Sequence, residues 1–312
     1  MSPVATSPVE PSSPVQVRAD VIANEPAGTY RRLVLHAPQI AERAEPGHFV
    51  ACAVGGEGSA LLLRRAFSLH RADPGDGTVQ VVVAAHGPGT RWFAERRVGD
   101  VVDVVGPVGR PFPLPQESVA TALLGGGYGS APLGWLAQAL HAKGCRTDLV
   151  VGAGDAARLF GHDDPHPLVD SVTVTTDDGS AGTRGRVTDV LPALMATHGT
   201  EIAYACGPMA MLRAVHEVCA RHGAQSYLAV EEAMACGIGV CMTCVLPVVG
   251  SDGTTRMTRS CVEGPVFSGD ALRWDAIGPT GSRVPDDAHG APPAPTVTAP
   301  TAPAATTEGG PL

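Results

Sequence analysis

The sequence predicts a multidomain β plus α/β protein: an antiparallel β-barrel, then a parallel-sheet α/β domain, then a small C-terminal cysteine-rich domain. Three observations carry this. Short β-type runs punctuated by Gly and Pro fill the first third. Strand and helix signals alternate in the middle. Four of the eight cysteines crowd into residues 236–261.

Taken in order, residues 1–15 are Pro/Ser-rich and are expected to be a disordered N-terminus. Residues 16–115 hold the β-type runs Tyr30–Leu35, Phe49–Val54, Val79–Ala85 and Val101–Val105, with no helix-length apolar stripe. They read as an antiparallel barrel or sandwich, closed by a linker at Pro111–Pro115. In residues 116–225, Ala120–Leu124, Thr147–Val151, Val172–Thr176 and Ile202–Cys206 read as buried strands. One helix carries Leu133, Leu136, Ala137 and Leu140 at helical spacing. Another opens at Pro208, carries Leu212, Val215 and Cys219 on one face, and stops at Gly223. Residues 226–275 form the short Cys- and Gly-rich block. Residues 276–312 are Ala/Pro/Thr/Gly-rich and too poor in large apolar side chains to offset their ordering entropy, so a disordered tail is expected.

Charge and composition exclude several classes. With 31 acids against 22 bases, the chain lacks the basic face a nucleic-acid binder needs. No apolar run approaches the ~20 residues that span a bilayer, and the start has neither a basic n-region nor an apolar h-region. A cytoplasmic protein is expected, its cysteines kept as thiols or metal ligands.

Cys236, Cys241, Cys244 and Cys261 form C-x4-C-x2-C, a 16-residue gap, then C. The first three match the spacing of plant-type [2Fe–2S] sites, and Gly237 and Gly239 provide the positive φ for so tight a wrap. Structural zinc and four unrelated buried cysteines are the competing readings, but zinc usually takes two short Cys pairs, and only Cys241–Cys244 is one. Cys52, Cys145, Cys206 and Cys219 sit in apolar contexts and read as small buried hydrophobes.

Gly125-Gly126-Gly127-Tyr128-Gly129 runs from a strand into a helix. It reads as either a turn that admits a pyrophosphate to free helix amides or a plain βα connection. Cys206-Gly207-Pro208 is a second such turn, and at the carboxyl ends of parallel strands both would line one crevice. In the barrel block, Arg65-Ala66-Phe67-Ser68 joins a guanidinium, an aromatic ring and a hydroxyl. That suits a phosphate-bearing ligand, and equally a strand with a solvated Arg. Gly87-Pro88-Gly89-Thr90 reads as a turn.

The order Pro46-Gly47-His48-Phe49-Val50, Arg65 to Ser68, Gly89-Thr90, Gly125 to Leu133, Thr176-Asp177-Asp178-Gly179-Ser180, Cys206 to Met209, the four cysteines and Gly264-Pro265-Val266-Phe267 is distinctive. Over roughly 16–275 the chain resembles the electron-transfer subunit of heteromeric, NAD-dependent dihydroorotate dehydrogenase, in the ferredoxin-reductase-like superfamily. The resemblance implies an FAD-binding barrel, an NAD-binding α/β domain and a [2Fe–2S] domain. By position, Arg65, Ala66, Phe67, Ser68, Val82, Val83, Ala84, Gly89 and Thr90 would hold FAD. Gly125, Gly126, Gly127, Gly129, Cys206, Gly207 and Pro208 would face NAD. Cys236, Cys241, Cys244 and Cys261 would hold the cluster. The chain departs from the pattern with Ala66 in place of Pro, Phe67 in place of the superfamily's Tyr, and Gly154 where an Arg is expected.

The same resemblance implies an FMN-containing catalytic subunit as partner, in a heterotetramer for pyrimidine biosynthesis. Electrons would leave that subunit singly, cross the cluster, pair on FAD and reach NAD as hydride. Kindred subunits of a sulfhydrogenase or a ferredoxin–NADP transhydrogenase share these motifs. A self-contained oxygenase reductase would show a longer gap before its fourth Cys. A zinc-stabilised interaction module is the alternative from another class.

Overall fold

The computed structural model describes residues 3–9, 13–56, 58–162, 168–278 and 281–289. Strands β1 (Val15–Ala27), β2 (Tyr30–His36), β3 (Phe49–Cys52), β4 (Arg65–Asp73), β5 (Thr78–Val83) and β6 (Val101–Val108) close into an antiparallel barrel of order β1-β2-β5-β4-β3-β6. Alternation fills it: Leu33, Leu35, Leu69, Val79, Val81, Val102 and Val104 point inward and are almost wholly buried. Closure leaves no strand edge to template aggregation. Two short helices cover the barrel, α1 (Pro38–Ala41) and α2 (Pro88–Ala94). The second begins where Gly87–Thr90 reads as a turn, because Pro88 suits a first helical position and Thr90 Oγ1 accepts from Gly87 N at 3.0 Å.

The α/β part is a seven-stranded sheet of order β10-β9-β8-β7-β11-β12-β15. It comprises β7 (Ala120–Gly126), β8 (Arg146–Ala153), β9 (Ser171–Thr176), β10 (Thr183–Arg184), β11 (Ile202–Cys206) and β12 (Gln225–Ala229), all parallel. Helix α3 (Leu133–Ala142) packs one face, with Leu123, Leu149, Val151 and Tyr204 in its core. Helices α4 (Val187–His198) and α5 (Met209–His222) pack the other, against Leu124, Val150, Ala203 and Leu228. Burial on both faces explains why these strands read as continuous apolar runs. Pro192 inside α4 obscured that helix in the sequence.

The cysteine-rich block adds the hairpin β13 (Val245–Val249) and β14 (Thr255–Arg259), and β15 (Val266–Ser268), which joins β12 antiparallel. The boundary expected at 225/226 therefore falls at the start of a strand that belongs to the preceding sheet.

The two ends also differ from expectation. Ser7 N donates to Leu114 O and Gln116 N to Ala5 O, so residues 5–7 pair with the segment read as a linker. That linker is not free either: Phe112 is buried edge-on against Tyr204, whose hydroxyl donates to Pro113 O at 2.8 Å. At the other end β16 (Ile277–Gly278) and β17 (Gly281–Ser282) form a small hairpin, and His289 N donates to Thr255 O. Unused strand-edge donors and acceptors on β14 hold His289 despite the poor hydrophobic content around it. The remaining tail, residues 290–312, and residues 1, 2 and 10–12 lie outside the described residues. Among the described residues no helix is long and apolar enough to cross a membrane.

Candidate functional site

The cysteine loop is built by its backbone. Gly237 and Gly239 adopt φ of +71° and +83°, and Met242, at φ +59°, is the only non-glycine residue with positive φ among those described. Such strain gathers where a loop is held for a purpose. The wrap turns the amides of Ile238 and Val240 onto Cys236 Sγ, both at 3.4 Å. Cys241 is exposed, Cys236 half-buried, and Cys244 and Cys261 buried.

Among the described residues no three metal-binding side chains converge as a single-ion site requires. Hydrogen bonds from Thr243, then from Cys236, pull the Cys241 thiol down to about 6. The bond from Cys261 brings Cys244 to about 6. The same interaction, then burial, pushes the Cys261 thiol up, so iron would have to displace its proton; four thiols, two of them lowered, in a loop whose amides face sulfur fit a [2Fe–2S] cluster.

This loop rests on the barrel. A Cβ at Gly237 would meet Ala51 Cβ at 3.2 Å, and Phe49 packs with Cys244 and Cys261. Both barrel residues lie on β3, which pairs with β4 through Phe49↔Ser68, Ala51↔Ala66 and Cys52↔Arg65.

Along β4, Ala66 and Ser68 face outward, and Arg65 Nη1 donates to Leu63 O at 2.7 Å. The Arg65 guanidinium lies over Gly89, where a Cβ would stand 2.9 Å from Nε. The fold thus joins Arg65 to Gly89-Thr90 across 24 positions. An outward hydroxyl on β4, a seated guanidinium and a glycine whose Cβ would press on that guanidinium fit a phosphate-bearing flavin nucleotide. Phe67 differs from the expectation of a ring offered to the flavin. It points into the barrel and stacks on Phe93 at 4.7 Å, because strand alternation places it on the inner face. Val83 is likewise in the core, whereas Val82 and Ala84 meet Tyr30, Ala131 and Phe160 between barrel and sheet.

The two glycine turns converge at a switch point, where β7 runs on to β8 on one side while β11 lies on the other. Gly126, Gly127 and Pro208 line a cavity of about 770 Å³. Gly125, Gly129, Cys206 and Gly207 stand behind them, packed so closely that a Cβ on Gly129 would lie 2.8 Å from Cys206 O. From the barrel come Tyr30, Ala84 and His86, and from the sheet Gly154, Arg158, Asp177 and Arg186. Gly154 leaves room for Arg158, whose Nη1 would be 3.2 Å from a Cβ there, so a guanidinium reaches this corner from four residues on. Tyr30 OH donates to Arg158 O at 2.8 Å and holds barrel to sheet. Burial, then the charges of Glu231 and Cys206, push the Tyr128 hydroxyl up to about 12, so it stays protonated. Tyr30, His86, Arg158 and Arg186 escaped the sequence reading because only their tertiary position marks them. Asp177 lay in a quoted motif but had no role.

Residues 231–273 match the family model for the iron–sulfur cluster binding domain of dihydroorotate dehydrogenase B. The chain is 40% identical over 238 residues to the protein "Dihydroorotate dehydrogenase B (NAD(+)), electron transfer subunit" of Geobacillus kaustophilus (strain HTA426), covering 75% of this chain and 89% of that one. A counterpart of the same name from Desulforamulus reducens is 33% identical over 239 residues, covering 77% and 90%. Among solved structures, that of an NADH-dependent reduced ferredoxin–NADP oxidoreductase superposes with a TM-score of 0.73 at 28% identity, over 83% of this chain and 91% of that chain. A cytochrome P450 reductase from Amycolatopsis shares the fold, with a TM-score of 0.54 at 24% identity over 68% and 67%. Its order of motifs, its fold and these two relatives together place the chain in the family of dihydroorotate dehydrogenase B electron transfer subunits.

Proposed function

We propose that this chain passes electrons from the catalytic subunit of an NAD-dependent dihydroorotate dehydrogenase to NAD. One observation carries the proposal: the cysteine loop packs on β3, and β3 is paired with the strand that bears Arg65 to Ser68. Two cofactor seats would thus share one barrel wall. When bound, a two-iron cluster and a flavin supply a one-electron and a one-or-two-electron carrier, the combination that couples a single-electron donor to a nicotinamide.

The chain's own residues do the positioning. Cys236, Cys241, Cys244 and Cys261 would hold the cluster, with the Ile238 and Val240 amides directed at sulfur. Arg65, Ser68, Gly89 and Thr90, with the backbone of Val82 to Ala84, would hold FAD. Phe67 would support that seat from inside the barrel. The glycine turns at Gly125–Gly129 and Cys206–Pro208, with Arg158 and Arg186 at the cavity wall, would take NAD. The partner under this reading is an FMN-containing catalytic subunit in a cytoplasmic heterotetramer. Acid–base chemistry on dihydroorotate would lie there.

The test is the absorption spectrum with iron and acid-labile sulfide analysis of anaerobically purified chain. A yellow-brown protein with iron and sulfide in equal amounts is expected; a colourless protein with zinc would sink the reading. Cys241→Ser should bleach the cluster bands while most flavin stays bound, and full iron retention in that variant would refute the ligand assignment.

A further inference from the structure

We propose that Arg259 and Glu263 are positioning residues that lock the cysteine loop and neutralise the charge behind its sulfur atoms. This rests on the proposed assignment of the four cysteines as cluster ligands. Neither residue was marked by the sequence motifs, yet they flank Cys261 two positions to either side.

Arg259 ends β14 and is 8% exposed. Its Nη1 donates to Gly239 O at 3.0 Å, in the loop between Cys236 and Cys241. Its Nε donates to both carboxylate oxygens of Glu263, at 3.1 and 3.2 Å, and Nη2 donates to Oε1. The backbone amide of Arg259 donates to the same carboxylate at 3.0 Å. One guanidinium therefore ties the loop of the first two ligands to the turn of the last.

The tie acts through a rigid unit. Gly239 C=O and Val240 N–H belong to one planar trans peptide, so they point in opposite directions. Holding Gly239 O with Arg259 aims Val240 N–H at Cys236 Sγ, the 3.4 Å contact described above. A substitution at Gly239 would strain this unit, since its φ is +83° and a Cβ there would lie 2.5 Å from Val262 Cγ2.

The charge argument is separate. An arginine guanidinium stays charged at any ordinary pH. Paired with Glu263 it is close to neutral toward its surroundings. Breaking this largely buried pair at one partner leaves the other charge poorly compensated. A thiolate-held cluster is anionic and becomes more so on gaining an electron, and its potential follows net charge and hydrogen bonds to sulfur. An uncompensated Arg259 cation would therefore favour the reduced form.

The experiment is an EPR-monitored redox titration of the full-length, cofactor-loaded chain as wild type and Glu263→Gln, with chelator-driven release of iron from wild type and Arg259→Lys. Glu263→Gln should raise the cluster midpoint potential while retaining iron, because glutamine keeps the size and an acceptor oxygen for Arg259. Arg259→Lys keeps the charge, but one ammonium cannot reach Gly239 O and both Glu263 oxygens, so iron should be released several-fold faster. An unchanged or lowered potential in Glu263→Gln, loss of its cluster, or wild-type release in Arg259→Lys would each overturn the proposal. A wild-type chain without iron would instead overturn the function proposed above.

Discussion

His48 shows how one side chain links packing to pH. It is 2% exposed, its Nδ1 accepts from Glu45 N at 2.9 Å, and its Nε2 is buried without a hydrogen-bond partner. Burial lowers its pKa from the ordinary 6.5 to about 4. Between those values the unfolded chain takes up a proton that the native chain refuses, so stability falls as pH falls through that window. The loss attributable to His48 should reach about 2 kcal/mol by pH 5. Urea denaturation at pH 7 and pH 5 measures it, and His48→Gln should remove most of the difference. An equal slope in both proteins would show that His48 is not the group responsible. The residue lies one position before β3, so this pH sensitivity sits beside the barrel wall that carries the cysteine loop.

At the level of elements, the two glycine turns work only because β7 and β11 are neighbours with Cys206 opposite Gly125 in register. Gly129 is the contact point. A Cβ there would stand 2.8 Å from Cys206 O and 2.9 Å from Gly207 Cα, both backbone atoms that cannot swing aside. Gly129→Ala should therefore push the turns apart. NADH affinity is expected to fall about tenfold or more, equivalent to about 1.4 kcal/mol, while iron content stays at the wild-type level. Titration of flavin-loaded protein with NADH checks this, and wild-type affinity would remove Gly129 from the site. The β3–β4 pair is the other decisive element. Its alternation sends Phe67 inward and Ser68 outward, so a motif that reads as one unit in sequence is split between core and surface.

For the whole molecule, barrel and sheet meet through a small cluster: Tyr30, Val82, Ala84, Ala131 and Phe160. The cavity is completed only where that junction brings Tyr30, Ala84 and His86 to the glycine turns. A division of labour follows from the proposed function. The flavin-loaded chain alone should reduce an artificial acceptor with NADH and should not oxidise dihydroorotate. Adding the catalytic subunit should confer dihydroorotate-dependent NAD reduction. Dihydroorotate oxidation by the isolated chain would show that substrate chemistry is not confined to the partner.

The cysteine spacing, the alternating runs of the barrel and the strand–glycine–helix turns were legible because each is local. Ligand spacing, period-two burial and positive φ are set within a few residues. The reach of Arg65 to Gly89, the inward turn of Phe67, the Arg259–Glu263 tie and the cavity wall at Arg158 and Arg186 were decided only by tertiary structure. Each depends on which strands lie side by side and which face of a strand is buried, and no local spacing encodes that. The pairing of N-terminal residues with Leu114–Gln116, and of His289 with Thr255, was hidden for the same reason: a segment with little apolar surface can still be held by an open backbone edge elsewhere in the chain.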